Sequence, residues 1–117
     1  MTTVRRIDPG PYLSRAVVAG DFVFLAGLTA EDRDADVAGQ TAQILGKVDH
    51  YLAEAGTDKS RVVSAQIWLR DIATWSEMNK VWTGWIDKAN PPARATVEAK
   101  LAHERILVEI MVTAVRS

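Results

Sequence analysis

Ten residues near the end of the chain, from Ile106 to Val115, form a run broken by one charge, Glu109, and one hydroxyl, Thr113. Side chains along a strand point alternately to opposite faces. A strand that is apolar at both sets of positions therefore needs cover on both faces of its sheet. Every other element of the chain has to be read against that demand.

The remaining segments supply a sheet and one layer of helices. Ala16-Val17-Val18 and Phe22 to Ala26 flank Gly20-Asp21, whose glycine takes the positive φ of a tight turn, and they read as a β-hairpin. Thr2 to Ile7 reads as a short edge strand, ended by Pro9-Gly10-Pro11. After the acidic loop Glu31 to Asp36, Val37, Thr41, Ile44, Val48, Tyr51 and Ala55 trace one helical face until Gly56 stops it. Val63, Ala65, Ile67 and Leu69 then alternate with Ser64, Gln66 and Trp68 as a strand. Thr74 and Glu77 form an expected capping box, opening a helix whose face carries Trp75, Met78, Trp82, Trp85 and Ile86 up to Asn90-Pro91-Pro92. Arg94 to Leu101 alternates again, ahead of the last strand.

The order hairpin, helix, strand, helix, strand, strand defines an α+β chain, with a single sheet carrying both helices on one face. The opposite face is then bare, although the last strand requires it covered. No element is left over for the task, so another copy of the same chain is the expected cover.

At 117 residues one core can close and a second cannot, so a single domain over 1–117 is expected. Hydrophobic residues are 48% and charged ones 25%, which places the chain among folded proteins rather than disordered ones. Fourteen basic residues are scattered among fifteen acidic ones with no basic stripe, and nucleic acid is not an expected partner. The absence of cysteine removes disulfides, thiolate nucleophiles and thiolate metal ligands together. Met1 to Asp8 has no apolar h-region and the longest apolar run cannot cross a bilayer, so no membrane partner and a cytoplasmic location are expected.

Familiar catalytic signatures are absent: no nucleophile elbow, no phosphate-binding glycine loop and no metal-spaced histidine pair. His50 and His103 read as surface residues, and the tryptophans at helical spacing as core. Glu109 stands apart. An ionised carboxylate in an apolar strand has to be paired, hydrogen-bonded or protonated, which marks either a structural ion pair or a functional site. Arg94 is the expected neighbour, because it opens a strand just after the rigid Pro91-Pro92-Ala93 corner. In a simple antiparallel hairpin turning near His103, Thr96 lies opposite Glu109. Arg94 and Glu109 are then same-face diagonal neighbours about 7–8 Å apart. A planar guanidinium binds a carboxylate through two parallel bonds, and a glutamate beside it orients a water. The pair describes a site for an amino-acid-like or keto-acid-like molecule.

Pro92-Ala93-Arg94-Ala95-Thr96-Val97-Glu98-Ala99, followed by Leu107-Val108-Glu109-Ile110, resembles the signature of the reactive intermediate deaminase (RidA/YjgF) family. The likeness runs nearly end to end, through Gly20-Asp21, Gln40 to Gln43, Ala53 to Gly56 and Asp71 to Asn79, and is nearest the YoaB-like branch. The resemblance implies a chorismate-mutase-like fold and a homotrimer with three clefts between subunits. It also implies cofactor-free and metal-free hydrolysis of 2-imino acids, such as 2-iminobutanoate and 2-iminopropanoate, to 2-keto acids and ammonia. Carried onto this chain, Arg94 holds the substrate carboxylate and Glu109 positions the attacking water. Gly27, Thr96 and Asn79 line the cleft. Many members have Ser-Gly-Gln where this chain has Ala26-Gly27-Leu28. The family's Gly-Pro-Tyr is present as Gly10-Pro11-Tyr12, one residue further from the hairpin, which leaves Tyr12 or Leu13 to fill the tyrosine's place. A keto-acid-binding module without turnover, a mutase-like enzyme and a purely structural oligomer are the other readings of the same residues.

Overall fold

The computed structural model describes residues 2–116. Six strands, β1 (Val4–Pro9), β2 (Ser14–Ala19), β3 (Phe22–Leu25), β4 (Val62–Leu69), β5 (Ala93–Glu98) and β6 (Val108–Val115), form one mixed sheet in the order β1-β2-β3-β6-β4-β5. Two helices, α1 (Val37–Glu54) and α2 (Trp75–Trp85), pack against each other in a layer on the sheet.

The strand that is apolar on both faces occupies the middle. β6 pairs antiparallel with β3 on one side and with β4 on the other. Its Val108, Ile110, Val112 and Ala114 are buried beneath the helix layer, together with Ala65, Ile67 and Leu69 of β4. Truncating a fully buried residue such as Ile110 to alanine costs about 2–5 kcal/mol in a core of this kind. On the opposite face, Phe22, Phe24, Val97 and Met111 each keep at least two fifths of their surface in solvent. No described element of the chain covers them.

Helix ends follow local chemistry. The Asp36 side chain accepts from the Gly39 amide at 2.8 Å and caps α1, and Gly56, at φ +84°, lets the chain leave it. The capping box expected at Thr74 and Glu77 is not formed. Thr74 Oγ1 donates instead to the Asp71 carbonyl at 2.6 Å, because a 3-10 turn over Ile72–Thr74 precedes α2 and draws the hydroxyl backwards. A register shift between Val62 and Ser64 also puts Val62, not Val63, into the core.

The expected hairpin between the last two strands is overturned. β5 does not pair with β6. It lies parallel to β4 at the sheet edge, with Arg94 beside Ala65 and Thr96 beside Ile67. The cause is α2, since a helical crossover returns the chain parallel to the strand it left. The connection from β5 to β6 then passes over the end of β4. There Arg70 ties it down by donating to the carbonyls of Leu101, His103 and Ile106.

Candidate functional site

The new register separates the two residues expected to work together. Arg94 projects on the same side as its partner Ala65, whose side chain is buried under the helices. Glu109 is paired with Trp68, between the buried Ile67 and Leu69, and so projects on the opposite, bare face. The expected same-face separation of about 7–8 Å does not exist within one chain.

Arg94 is held from α2. Its Nη1 donates to Asn79 Oδ1 at 2.8 Å, and its guanidinium carbon lies 5.6 Å from the ring centre of Trp75 and 5.3 Å from that of Trp82. Partial burial pushes its pKa below the ordinary arginine value. Among the described residues no carboxylate forms an ion pair with it. An amide and two indole faces stabilise the cation without neutralising it. Thr96, two residues on and facing the same way, buries its Oγ1 with no hydrogen-bond partner. Asn79, Arg94 and Thr96 thus share one side of the β5 edge, where a half-buried cation has no counter-charge and a buried hydroxyl no hydrogen-bond partner among the described residues.

Glu109 forms the second group, with Gly27. After β3 the chain leaves the ladder and rejoins it at Leu28, whose amide donates to the Ile110 carbonyl at 2.9 Å and whose carbonyl accepts from the Ile110 amide at 3.1 Å. That bridge sets Gly27 against the Glu109 side chain so closely that a Cβ at position 27 would strike Glu109 Oε2. Glycine here leaves the Glu109 carboxylate its observed position, and no positive φ demands it. Desolvation raises the Glu109 pKa above the ordinary carboxylate value. No hydrogen bond or ion pair to its carboxylate exists among the described residues.

Tyr12 joins neither group within the chain. It stands in the loop between β1 and β2 with 96% of its surface exposed, beside Leu13 at 49%. A cavity of about 440 Å³ lies elsewhere, lined by Asp8, Arg15, Glu31, Lys47 and Tyr51 among others. None of the six expected site residues lines it. Lys47 there is already bound to Glu31 and to the Thr29 carbonyl, each at 2.6 Å. Among the described residues no group of three or more His, Asp or Glu side chains is disposed to hold a metal ion. No described helix is long and apolar enough to cross a membrane.

The sequence reading placed Trp75 in the core, and that is corrected: Trp75 keeps 38% of its surface exposed and faces Arg94, whereas Trp82 is buried as expected. The signal was present as Trp75, Asn79 and Trp82 at steps of four and three, one stripe of α2 with an amide in its middle.

A mixed six-stranded sheet with two helices, a bare apolar face and an arginine and a glutamate without a counter-charge among the described residues define an α+β class found repeatedly among known proteins. Residues 3–116 match the family model described as endoribonuclease L-PSP. A RutC family protein of Haemophilus ducreyi is 38% identical over 95% of this chain and 95% of its own. The RutC family protein YoaB of Escherichia coli is 35% identical over 96% and 97%. A crystal structure of a YjgF family member from Neisseria meningitidis is 43% identical, covers 98% of this chain and 96% of its own, and superposes with a TM-score of 0.95. The chain belongs to this RidA/YjgF/RutC family, as its proline–arginine and Val-Glu-Ile motifs indicated.

Proposed function

We propose that the protein is a hydrolase that deaminates reactive 2-imino acids to 2-keto acids, working as a homotrimer with its sites between subunits. One observation carries this reading. Arg94 and Glu109 are both partly desolvated, both lack a counter-charge, and leave opposite faces of one sheet. Two copies packed through the bare face, with the β5 edge of one meeting the Gly27–Glu109 wall of the next, would let each charge face the other across a small gap. The apolar surface of Phe22, Phe24, Val97 and Met111 supports such packing. A ring of three closes in the manner of a head-to-tail interface.

In this site the substrate carboxylate takes the place of the missing anion on Arg94, through the donors that Asn79 leaves free. Thr96 Oγ1 gains the partner it lacks. Glu109 on the facing subunit accepts a proton from water as the water oxygen adds to C2 of the imine. The same carboxyl returns that proton to the imine nitrogen, giving a carbinolamine, and then carries the hydroxyl proton to the nitrogen as the C–N bond breaks and ammonia leaves. A 2-imino acid and water thus give a 2-keto acid and ammonia, with no change of oxidation state and no metal or cofactor in the sequence. Gly27 leaves room for the carboxylate to move. Tyr12 or Leu13, on the exposed hairpin tip, would close the cleft of a neighbouring copy. The family model's description names an endoribonuclease. A net charge of −1 without a basic stripe favours a small anionic substrate over RNA.

The test is ammonia and keto-acid release from 2-iminopropanoate generated in situ, with and without the protein. Acceleration that is lost in Arg94→Ala is the expected result. Binding of 2-ketobutyrate without any acceleration would leave a keto-acid-binding module in place of an enzyme.

A further inference from the structure

The α2 stripe that meets Arg94 does more than fill space. Trp82 is 6% exposed and lies 5.4 Å from Trp85 in the core, as a packing residue should. Trp75 is at the same stripe, seven residues earlier, yet keeps 38% of its surface in water, and Ile72, one turn before it, keeps 44%. Both exposed apolar groups lie at the start of α2, with Trp75 beside a cation that has no ion-pair partner among the described residues and the Ile72 amide donating to Glu98 Oε1 at 3.0 Å.

The geometry fixes what the Trp75 indole can touch. A carboxylate gripped by two parallel bonds lies nearly in the plane of the guanidinium. Asn79 holds one Nη1 donor and the two indoles bracket the cation, so the plane is set from α2. Of the two indoles beside Arg94 only Trp75 is exposed, so it is the one within reach of a C2 substituent on an imino acid anchored there. We propose that Trp75, Asn79 and Trp82 are a helical clamp that positions the Arg94 guanidinium. The exposed indole of Trp75 is the surface that receives the substrate's side chain. The site therefore selects 2-imino acids with bulky aliphatic or aromatic substituents over the methyl-bearing 2-iminopropanoate. This inference rests on the reading of Arg94 as the carboxylate anchor.

Asn79 and Trp82 are positioning residues in this scheme, and Trp75 is a specificity-determining one. Asn79→Asp is the sharp probe for the clamp, being nearly isosteric and leaving the fold intact. The introduced carboxylate would pair with Arg94 and displace a substrate carboxylate.

The experiment is calorimetric titration of the assembled protein with pyruvate and with 4-methyl-2-oxopentanoate, stable keto-acid counterparts of a small and a bulky imino acid. The parent should prefer the bulky acid by about tenfold, the scale of one aromatic contact. Trp75→Ala should abolish that preference, while Trp75→Phe retains most of it. Asn79→Asp should weaken both acids by about tenfold or more without lowering the melting temperature. If Arg94→Ala binds both acids like the parent, or the parent binds neither, the anchor reading itself falls, and the clamp with it. If binding depends on Arg94 but the parent shows no preference, or Trp75→Ala keeps it, the Trp75 surface alone is overturned. Unchanged binding by Asn79→Asp overturns the clamp.

Discussion

Arg94 and Glu109 leave opposite faces of one sheet, Arg94 from the edge strand beside Ala65 and Glu109 from the central strand beside Trp68. No rotamer of either side chain can bring them together through the core between them. If they share a chemical step, the step belongs to two chains.

Mixed subunits test this directly. Arg94→Ala and Glu109→Gln should each be nearly inactive alone. Co-refolded in equal amounts, they regain activity, since an interface between an Arg94-bearing and a Glu109-bearing copy is intact. Random assembly of a ring makes about one site in four intact, so recovery to about a quarter of parent activity is expected. Light scattering of each preparation should give about three times the 12.8 kDa subunit mass. No recovery from properly mixed trimers would mean that both residues act from the same chain or that neither acts.

What the sequence disclosed and what it hid follow from the range of the forces involved. Helix α1 was legible from Val37 to Gly56 because its apolar steps, the acidic loop ahead of it and its glycine stop are local, and the structure adds Asp36 as the cap. The bare face was legible because β6 is apolar on both sides. The pairing of β5 was not legible, because nearness in sequence is not nearness in the sheet: β5 lies parallel to β4 and not beside β6. The alternation itself held the answer: Arg94, Thr96 and Glu98 suit an edge, whereas β6 suits the middle. Of the candidate site, Arg94, Asn79 and Thr96 do come together, as do Gly27 and Glu109. Which face each group occupies depended on a register that only the crossover through α2 decides.

Glu109 titrates above its ordinary value because burial disfavours its charge. A carboxyl raised on folding favours the native state only while protonated. That contribution is whole below the ordinary carboxyl value of 4.5 and is lost as pH rises through the elevated value. Partner arginines would mask the effect, so the measurement belongs in an Arg94→Ala background. Adding Glu109→Gln there should raise the melting temperature at about pH 7 and leave it unchanged at about pH 4. A gap that persists at the lower pH would show that the amide stabilises by packing and not by removing a charge.

Gly27→Ala should act on Glu109 and on little else. The added methyl meets the flexible end of the carboxylate rather than backbone, so the chain can fold by turning Glu109 aside. Turnover should then fall as it does in Glu109→Gln, while 2-ketobutyrate binding through Arg94 stays within a few fold of the parent. Parent-like turnover in Gly27→Ala would show that the observed position of Glu109 is not the working one.

Arg94→Lys keeps the charge and gives up the flat fork of donors, so it separates attraction from orientation. A charge-assisted bond to the substrate contributes about 1.5–3 kcal/mol, about ten- to a hundredfold in affinity. Arg94→Ala should lose at least that in 2-ketobutyrate binding. The lysine variant should bind detectably yet turn over substantially less than the parent, because the imine carbon is no longer held toward the water. A neutral imine without a carboxylate should hydrolyse at the same slow rate with all three proteins.

Thr96 offers a test in which stability and function should move in opposite directions. Its Oγ1 is buried without a partner, and an unsatisfied buried hydroxyl costs about 1–3 kcal/mol. Thr96→Val replaces that hydroxyl with a methyl of the same shape, so the unliganded protein should melt several degrees higher. The hydroxyl faces the same way as Arg94 and would meet the ligand that Arg94 is proposed to anchor. Its loss should therefore weaken 2-ketobutyrate binding, and added ligand should raise the melting temperature of the parent more than that of the variant. A structural hydroxyl with an overlooked partner predicts the reverse, a lower melting temperature for Thr96→Val and equal ligand-induced shifts. Melting curves of both proteins, with and without 2-ketobutyrate, separate the two outcomes in one experiment.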